Sequence, residues 1–446
     1  MQNTLDKKAA PRVAFVTLGC AKNEVDTDKM RAAILASNYE LEQEIEHADV
    51  IVVNSCSFLQ EATQESIDTI LEILEQDQEL GRDTKLILSG CVPSRYKADE
   101  LKEALPEVSA FVRAQDEEGL LSVISEITGI EAHSNDSVSI RTLEAPYAYV
   151  KISEGCDRMC TFCAIPFIRG RYVSRPQDEI IAEVKVLIGH GVQEIILIGQ
   201  DTGVWGEDLS ENANLADLLK ACAKELEPID GILKILYLQP EGLNDKLINT
   251  IKDTPQISNY IDIPLQHSSA RVLELMNREG GSQYYLEVIE KLRKLMPDMI
   301  IRSTFISGFP SETEEEHQEL LDFLEQAQFD FAGVFMYSAE EGTKAYRMDG
   351  HIDEDTKLRR AQEVKDLLDE IGFAKTQVRV GDECEVIIED FEELEDGSVE
   401  ALGRAWFQAP DSDGIVHIPN LDAQIGDRVR VRFVESFAYD LEGEVL

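Results

Sequence analysis

Three thiols, Cys156, Cys160 and Cys163, stand at spacing C-x3-C-x2-C just after an apolar run that includes Ala148, Tyr149, Val150 and Ile152. A strand ending in a short loop points all three sulfurs at one spot. Thiolates clustered in this way hold iron–sulfur clusters or zinc. The missing fourth thiol separates the two readings. Structural zinc is normally closed by four ligands, whereas three ligands on a four-iron cube leave one iron open for a small molecule. Neither Asp157 nor Arg158 suits a fourth position, and no C-x2-C partner follows nearby.

Three further cysteines, Cys20, Cys56 and Cys91, each close an apolar run read as a buried strand: 13–20, 50–56 and 85–91. The intervals of 36 and 35 residues are each one strand–helix–strand step. In open α/β sheets, sites form beyond the carboxyl ends of the strands, so thiols placed there converge on one point. Three unrelated buried cysteines are the competing reading, and their matching placement argues against it. Cys222 and Cys384 lie in a helical pattern and a strand-like run. A lone cysteine in such a place is more often a small buried apolar residue than a ligand.

The elements that must position these thiols follow from periodicity. Helical patterns near 25–37, 59–76, 94–104 and 117–127, with a further strand at 110–113, predict a flavodoxin-like parallel sheet. A polar stretch at 133–145 reads as a linker. Six apolar strands follow, at 147–153, 194–199, 232–238, 260–265, 299–306 and 331–336, separated by helices near 178–190, 214–226, 243–253, 270–278, 283–296 and 313–328. Six such units predict a partial (β/α)6 barrel, whose chemistry lies at the carboxyl ends of the strands. Gln200, Asp201 and Thr202, then Gln266 and His267, then Gly308, Phe309 and Pro310 fall at those ends. His267 reads foremost as a hydrogen-bonding structural residue. Arg169, Arg171 and Arg175 either hold an acidic substrate or pair with the chain's own acids. A charged helix near 354–375 leads to five short strands, 383–389, 399–407, 414–418, 428–434 and 441–446, which predict a small all-β barrel of OB type.

The chain has 446 residues, enough for two or three domains, and a net charge of −45. No stretch approaches the roughly 18 apolar residues of a membrane span. Residues 1–8 are polar and lack the apolar core of a secretory signal. A cytoplasmic protein is expected, and in that reducing compartment the grouped thiols read as metal ligands rather than disulfides. From residue 376 to the end there are 18 Asp and Glu against 5 Arg and no Lys, a net of −13. Nucleic-acid binding draws on basic residues at phosphates, so this barrel suits a basic protein better than RNA.

The segment KISEGCDRMCTFCAIPFIRG, with Phe162 beside its last thiol, resembles the radical S-adenosylmethionine (radical SAM) enzymes, as do GQDT, IDIPLQHSSARVLELMNREG and SGFPSETEEE. The runs LGCAKNEVDTDKM, VVNSCSFLQEATQES and LILSGCVPSRY resemble the N-terminal domain of the methylthiotransferases, and the last segment resembles the TRAM domain that closes them. The resemblance implies an N-terminal methylthiotransferase domain over 1–132, a linker over 133–145, a radical SAM domain over 146–375 and a TRAM domain over 376–446. It implies two 4Fe–4S clusters, one on Cys20, Cys56 and Cys91 and a SAM-binding one on Cys156, Cys160 and Cys163. It places Phe162, Gln200, Asp201 and Gly308 near SAM. Asn23, Asp26, Asn54 and Ser55 are polar neighbours of the first triad, with Asp26 expected to cap the following helix. The chain departs from the family pattern at Ser307 and Ser311, where Val and Gly are usual, and Ser311 is expected as a helix cap instead.

Within the family, the acidic barrel, the tetrapeptide Gly199-Gln200-Asp201-Thr202 and the stretches IDIPLQH and YSAEEGT resemble the branch that modifies an aspartate of the basic small-subunit ribosomal protein S-twelve. The alternative branch modifies an adenosine of tRNA, and an alternative of another class is a non-catalytic iron–sulfur sensor or scaffold. The resemblance further implies sulfur delivery at the first cluster, hydrogen abstraction from the aspartate β-carbon by a radical made from SAM, and an N-terminal sheet packed over the barrel's open face. It also implies partners: a low-potential electron donor such as flavodoxin or ferredoxin, and a sulfur donor. Direct RNA binding and a membrane partner are not expected.

Overall fold

A computed structural model of the chain describes residues 10–133, 145–209, 213–394 and 397–446. The polar start, most of the expected linker at 133–145 and part of the turn near 396 lie outside the described residues. The described chain forms two compact units. One is the N-terminal sheet domain together with Gly155–Asp157 and Cys163–Arg171; the other holds the remaining central and C-terminal segments. The thiol loop is thus shared, with Cys156 and Cys163 in the first unit and Cys160 in the second.

The first unit is a five-stranded parallel sheet in the order Glu40–Leu41, Arg12–Thr17, Val50–Ser55, Lys85–Gly90, Ala110–Arg113. In chain order this is 2-1-3-4-5, the flavodoxin-like arrangement. Every residue of Val50–Ser55 is buried, as expected of a central parallel strand covered on both faces. Ile51, Val53, Leu86 and Leu88 face one core, and Val50, Val52 and Ile87 face the other. The edge strand Glu40–Leu41 escaped the sequence reading because two residues carry no periodicity. The helix expected at 94–104 is two helices, Cys91–Arg95 and Ala98–Ala104. They are separated at Tyr96, whose extended backbone (φ −106°, ψ 153°) ends the first.

In the second unit, six parallel strands follow one another in chain order: Tyr147–Lys151, Glu194–Ile198, Ile232–Ile235, Tyr260–Asp262, Ile300–Ser307 and Phe331–Met336. They form two three-stranded sheets. Ser258 N–H donates to Leu233 O and Leu238 N–H to Asp262 O, both at 2.9 Å, across the seam. This is the expected partial barrel. The C-terminal barrel is closed, in the order Glu383–Glu393, Val399–Ala405, Val416–Pro419, Asp440–Val445, Arg428–Phe437. Its 404–413 segment sits at the amino-terminal ends of the central strands. There Arg404 meets Glu194 at 2.7 Å, Lys234 Nζ donates to Gln408 O at 2.5 Å, and Tyr260 OH donates to Asp413 at 2.6 Å. Cys222 is fully buried in the helix Leu215–Leu226 as expected, while Cys384 is only half-buried.

Candidate functional site

In the first unit, each cysteine of the N-terminal triad lies just past a strand. Cys20 caps the helix Ala21–Leu35, Cys56 follows Val50–Ser55 directly, and Cys91 opens the helix Cys91–Arg95. Cys56 and Cys91 are buried and Cys20 is exposed. Gly19, at φ +98°, runs hard against Cys56. A Cβ at Gly19 would lie 2.6 Å from Cys56 Cβ and 2.9 Å from its sulfur, so only glycine lets the two thiol loops meet. Asn23 ties the loops together by donating to Leu18 O at 2.8 Å and Ser55 O at 2.9 Å. Its own oxygen accepts from the Cys91 thiol at 3.7 Å. Asn54 donates to Asn23 O at 2.9 Å and Thr27 Oγ1 at 3.0 Å, and Ser55 Oγ to Ser89 O at 2.5 Å.

Burial pushes the Cys56 thiol up to about 11, with Cys91 and Cys20 pressing the same way and Arg169 opposing. Burial also raises Cys91, against the pull of Arg169. Two buried thiols raised in this way need a cation, such as a metal centre, to hold them as thiolates. Among the described residues no group of His, Cys, Asp or Glu closes on a single ion. Thiols that serve a four-iron cube need to reach only its separate corners.

Asp26 is not the helix cap. The helix starts five residues earlier, and Asp26 is a buried interior residue paired with Arg169 Nη1 at 2.7 Å. Arg169 belongs to the segment after Cys163, where the short helix Ile165–Ile168 packs Ala164 and Ile168 on Cys91. Arg171 pairs with Asp157 at 2.9 Å and Arg175 with Glu183 at 2.7 Å. All three arginines therefore meet the chain's own acids. Gly155, at φ +76°, leaves no room for a Cβ, which would stand 2.2 Å from Arg171 O. Cys156 N–H donates to Gly170 O at 3.2 Å.

In the second unit, the middle of the thiol loop is held by residues the sequence reading did not single out. Asn277 Nδ2 donates to Arg158 O at 3.1 Å and Met159 O at 3.3 Å, and Arg278 Nη1 lies 3.9 Å from Cys160 sulfur. Thr161 donates from its N–H to Met276 O at 3.0 Å and from its hydroxyl to Leu275 O at 2.8 Å. The quoted run ending in NREG contained the signal, as two polar residues just beyond a helix. Phe162 is half-buried.

At the carboxyl ends of the strands, Asp201 accepts from Arg158, which also reaches Glu241 at 2.9 Å. Burial raises the Asp201 carboxyl, with Arg158 opposing. Gln200 Nε2 donates to Glu154 at 2.7 Å. Gln200 Oε1, Gln239 Oε1, Ser268 Oγ, Ser307 Oγ and Tyr337 OH are buried without a hydrogen-bond partner. Each stands at or beyond the carboxyl end of a different strand, the second to the sixth of the barrel. Unsatisfied buried polar atoms are costly in a core and characteristic of a polar ligand site, which fits the amino-acid and nucleoside parts of SAM.

Gly308, at φ +80°, donates to Glu312 at 2.8 Å, and a Cβ there would strike Lys357 Cγ at 2.6 Å. Its freedom serves packing on its own chain. His267 is fully buried, its Nδ1 accepting from Ser269 N–H at 3.0 Å. Ser311 does not cap a helix. Its φ of +68° is left-handed, and the cap is Thr313, in a reciprocal box with Glu316. A left-handed backbone is one that glycine adopts without strain. The Ser311 hydroxyl donates to Asp349 O at 3.2 Å.

Comparison with known proteins follows the same division of the chain. Residues 150–324 match the Radical SAM superfamily, 12–113 the uncharacterized protein family UPF0004, and 380–446 the TRAM domain. The chain is 39% identical over 451 residues to the ribosomal protein uS12 methylthiotransferase RimO of Geobacter sulfurreducens, covering 98% of this chain and 99% of that protein. It is 41% identical over 448 residues to the protein of the same name from Symbiobacterium thermophilum, covering 97% and 90%. Among solved structures it is similar to the radical S-adenosylmethionine methyltransferase TsrM of Kitasatospora setae. The TM-score is 0.54 at 12% identity, over 73% of this chain and 75% of that one, a likeness of fold alone.

Proposed function

Because the chain belongs to the RimO family of ribosomal protein uS12 methylthiotransferases, we propose that it adds a methylthio group to the β-carbon of an aspartate in that small-subunit protein. Cys20, Cys56 and Cys91 are assigned to one 4Fe–4S cluster, and Cys156, Cys160 and Cys163 to the cluster that binds SAM. When bound, these groups supply the electron that cleaves SAM and the iron site at which sulfur is carried. The single observation that carries the site assignment is the meeting of the three N-terminal thiol loops, with Gly19 against Cys56 and Asn23 on Cys91.

The chain's own groups do the positioning. Arg158, held by Asp201 and Glu241, fixes the loop between Cys156 and Cys160. Gln200, Gln239, Ser268, Ser307 and Tyr337 offer the polar atoms that orient SAM, with Phe162 beside the last thiol.

The C-terminal barrel supports a basic protein substrate rather than RNA. Arg404 is buried on Glu194, and Arg379 stacks on the Phe407 ring at 3.9 Å. Arg428 pairs with Glu385, and Arg430 and Arg432 both pair with Glu383. Each of its five arginines thus has a partner within the chain, which leaves little cationic surface for phosphates. Turnover requires a low-potential electron donor, such as flavodoxin or ferredoxin, and a sulfur donor. Among the described residues no helix is long and apolar enough to cross a membrane, and a ribosomal substrate supports work in the cytoplasm.

The test is to incubate the reconstituted, reduced protein with SAM and either a peptide from the uS12 target loop or tRNA. Mass spectrometry should show methylthio gain on the peptide. Gain on tRNA alone would reverse the substrate, and absence of 5′-deoxyadenosine would leave a non-catalytic iron–sulfur protein.

A further inference from the structure

Arg169 occupies an unusual place for a cation. Its side chain is 2% exposed, in the first unit, six residues after Cys163. The contacts of its guanidinium include Nη1 to Asp26 Oδ2 at 2.7 Å, Nη2 to Asn23 Oδ1 at 2.5 Å, and Nη2 to Cys91 sulfur at 3.5 Å. Asp26 is equally buried. The backbone that delivers Arg169 is fixed independently. Gln115 Nε2 donates to Ile168 O at 2.7 Å, and Ala164 and Ile168 pack on Cys91.

Burying an ion pair is costly unless further hydrogen bonds compensate it. A hydrophobic pair would hold these two segments together as well, so packing alone does not account for the charges. What the charges add is a fork aimed at one sulfur. Arginine suits this because its donors lie in a rigid plane, so Asp26 and Asn23 set the angle at which Nη2 meets Cys91.

We propose that Arg169 is a positioning residue of the first cluster site: it holds the Cys91 thiolate by a charge-assisted hydrogen bond and raises the reduction potential of the cluster bound there, with Asp26 as its counter-ion. This rests on the assignment of Cys20, Cys56 and Cys91 as cluster ligands. Net charge and hydrogen bonds to the sulfurs set such potentials. Reduction adds negative charge, so a cation on a ligand sulfur favours the reduced state. The carboxylate of Asp26 partly cancels that cation, so the two residues act in opposite directions.

The test uses the full chain with Cys156, Cys160 and Cys163 replaced by Ala, leaving one cluster, reconstituted with iron and sulfide. Iron per chain and the midpoint potential, followed by electron paramagnetic resonance, are read for this parent and for Arg169→Met, Arg169→Lys and Asp26→Asn. The potential should fall in R169M, fall less in R169K and rise in D26N. A purely structural pair would lose iron in R169M and D26N alike without opposite shifts in potential. Should R169M fail to retain iron, the upward shift of D26N decides. Cluster retained with an unchanged or lowered potential in D26N overturns the proposal while the ligand assignment stands. A parent that binds no iron overturns the ligand assignment itself, and the proposal with it.

Discussion

Arg404 Nη2 stands 2.7 Å from Glu194 Oε2, and both side chains are all but fully buried. Glu194 opens a strand of the central barrel, and Arg404 lies on the second strand of the C-terminal one. Lys234 completes the lock, reaching Glu194 at 2.6 Å and Gln408 O at 2.5 Å. The C-terminal barrel is therefore built into the base of the central one. Removing one member leaves the other charges buried without their partner, which costs about 3–5 kcal/mol. Arg404→Met should lower the unfolding free energy of this unit by that order in urea titrations. A loss under about 1 kcal/mol, the range of exposed pairs, would show that the lock is not load-carrying.

The same lock gives a pH signature. Burial alone would raise the Glu194 carboxyl, but Arg404 and Lys234 outweigh it and hold it at about 2. An unfolded glutamate titrates near about 4.3. The lowered value means that the contribution is fully present above the unfolded value and is lost as pH falls through about 2. The stability difference between the native chain and Glu194→Gln should narrow as pH is lowered across that window. A difference that stays constant from neutral pH to pH 2 would exclude Glu194 as the titrating group.

Gly19→Ala tests the meeting of the thiol loops. A non-glycine residue at φ +98° carries strain of about 1–3 kcal/mol, and the added Cβ displaces Cys56. Iron bound after reconstitution should drop to the amount held by Cys156, Cys160 and Cys163 alone, with the fold retained by circular dichroism. Full iron content in this variant would mean that Cys56 is free to move.

Asp201→Ala tests the hold on Arg158. Loss of a partner that orients a ligand loop typically lowers activity on the order of 10- to 100-fold. SAM cleavage to 5′-deoxyadenosine should slow by that order while the iron content is kept. Cleavage at the native rate would show that Glu241 suffices to hold Arg158.

Thr313→Ala should change stability without changing chemistry. The Thr313–Glu316 box caps the helix Glu314–Ala327, and loss of such a cap costs roughly 1 kcal/mol. Thermal unfolding should shift accordingly, with SAM cleavage unaltered. Slower cleavage would tie this helix start to the SAM site.

What was legible in the sequence was local. Cys20, Cys56 and Cys91 could be placed because each ends a run of apolar residues whose pattern is a strand. The six central strands and the five of the C-terminal barrel were legible for the same reason, since alternation and turn residues record which side of a short segment is buried. The open triad at Cys156, Cys160 and Cys163 carried its chemistry in its spacing. The tertiary structure decided how charges are neutralised. Asp26 looked like a helix cap and is the counter-ion of Arg169, which lies 143 residues away. Arg404 looked like one cation in an acidic barrel and is locked on Glu194, 210 residues away. Ser311 looked like a cap, and its left-handed backbone gives that role to Thr313. Periodicity tells whether a residue is buried, but a buried charge must find its partner wherever the fold brings one, and no local pattern records where that is.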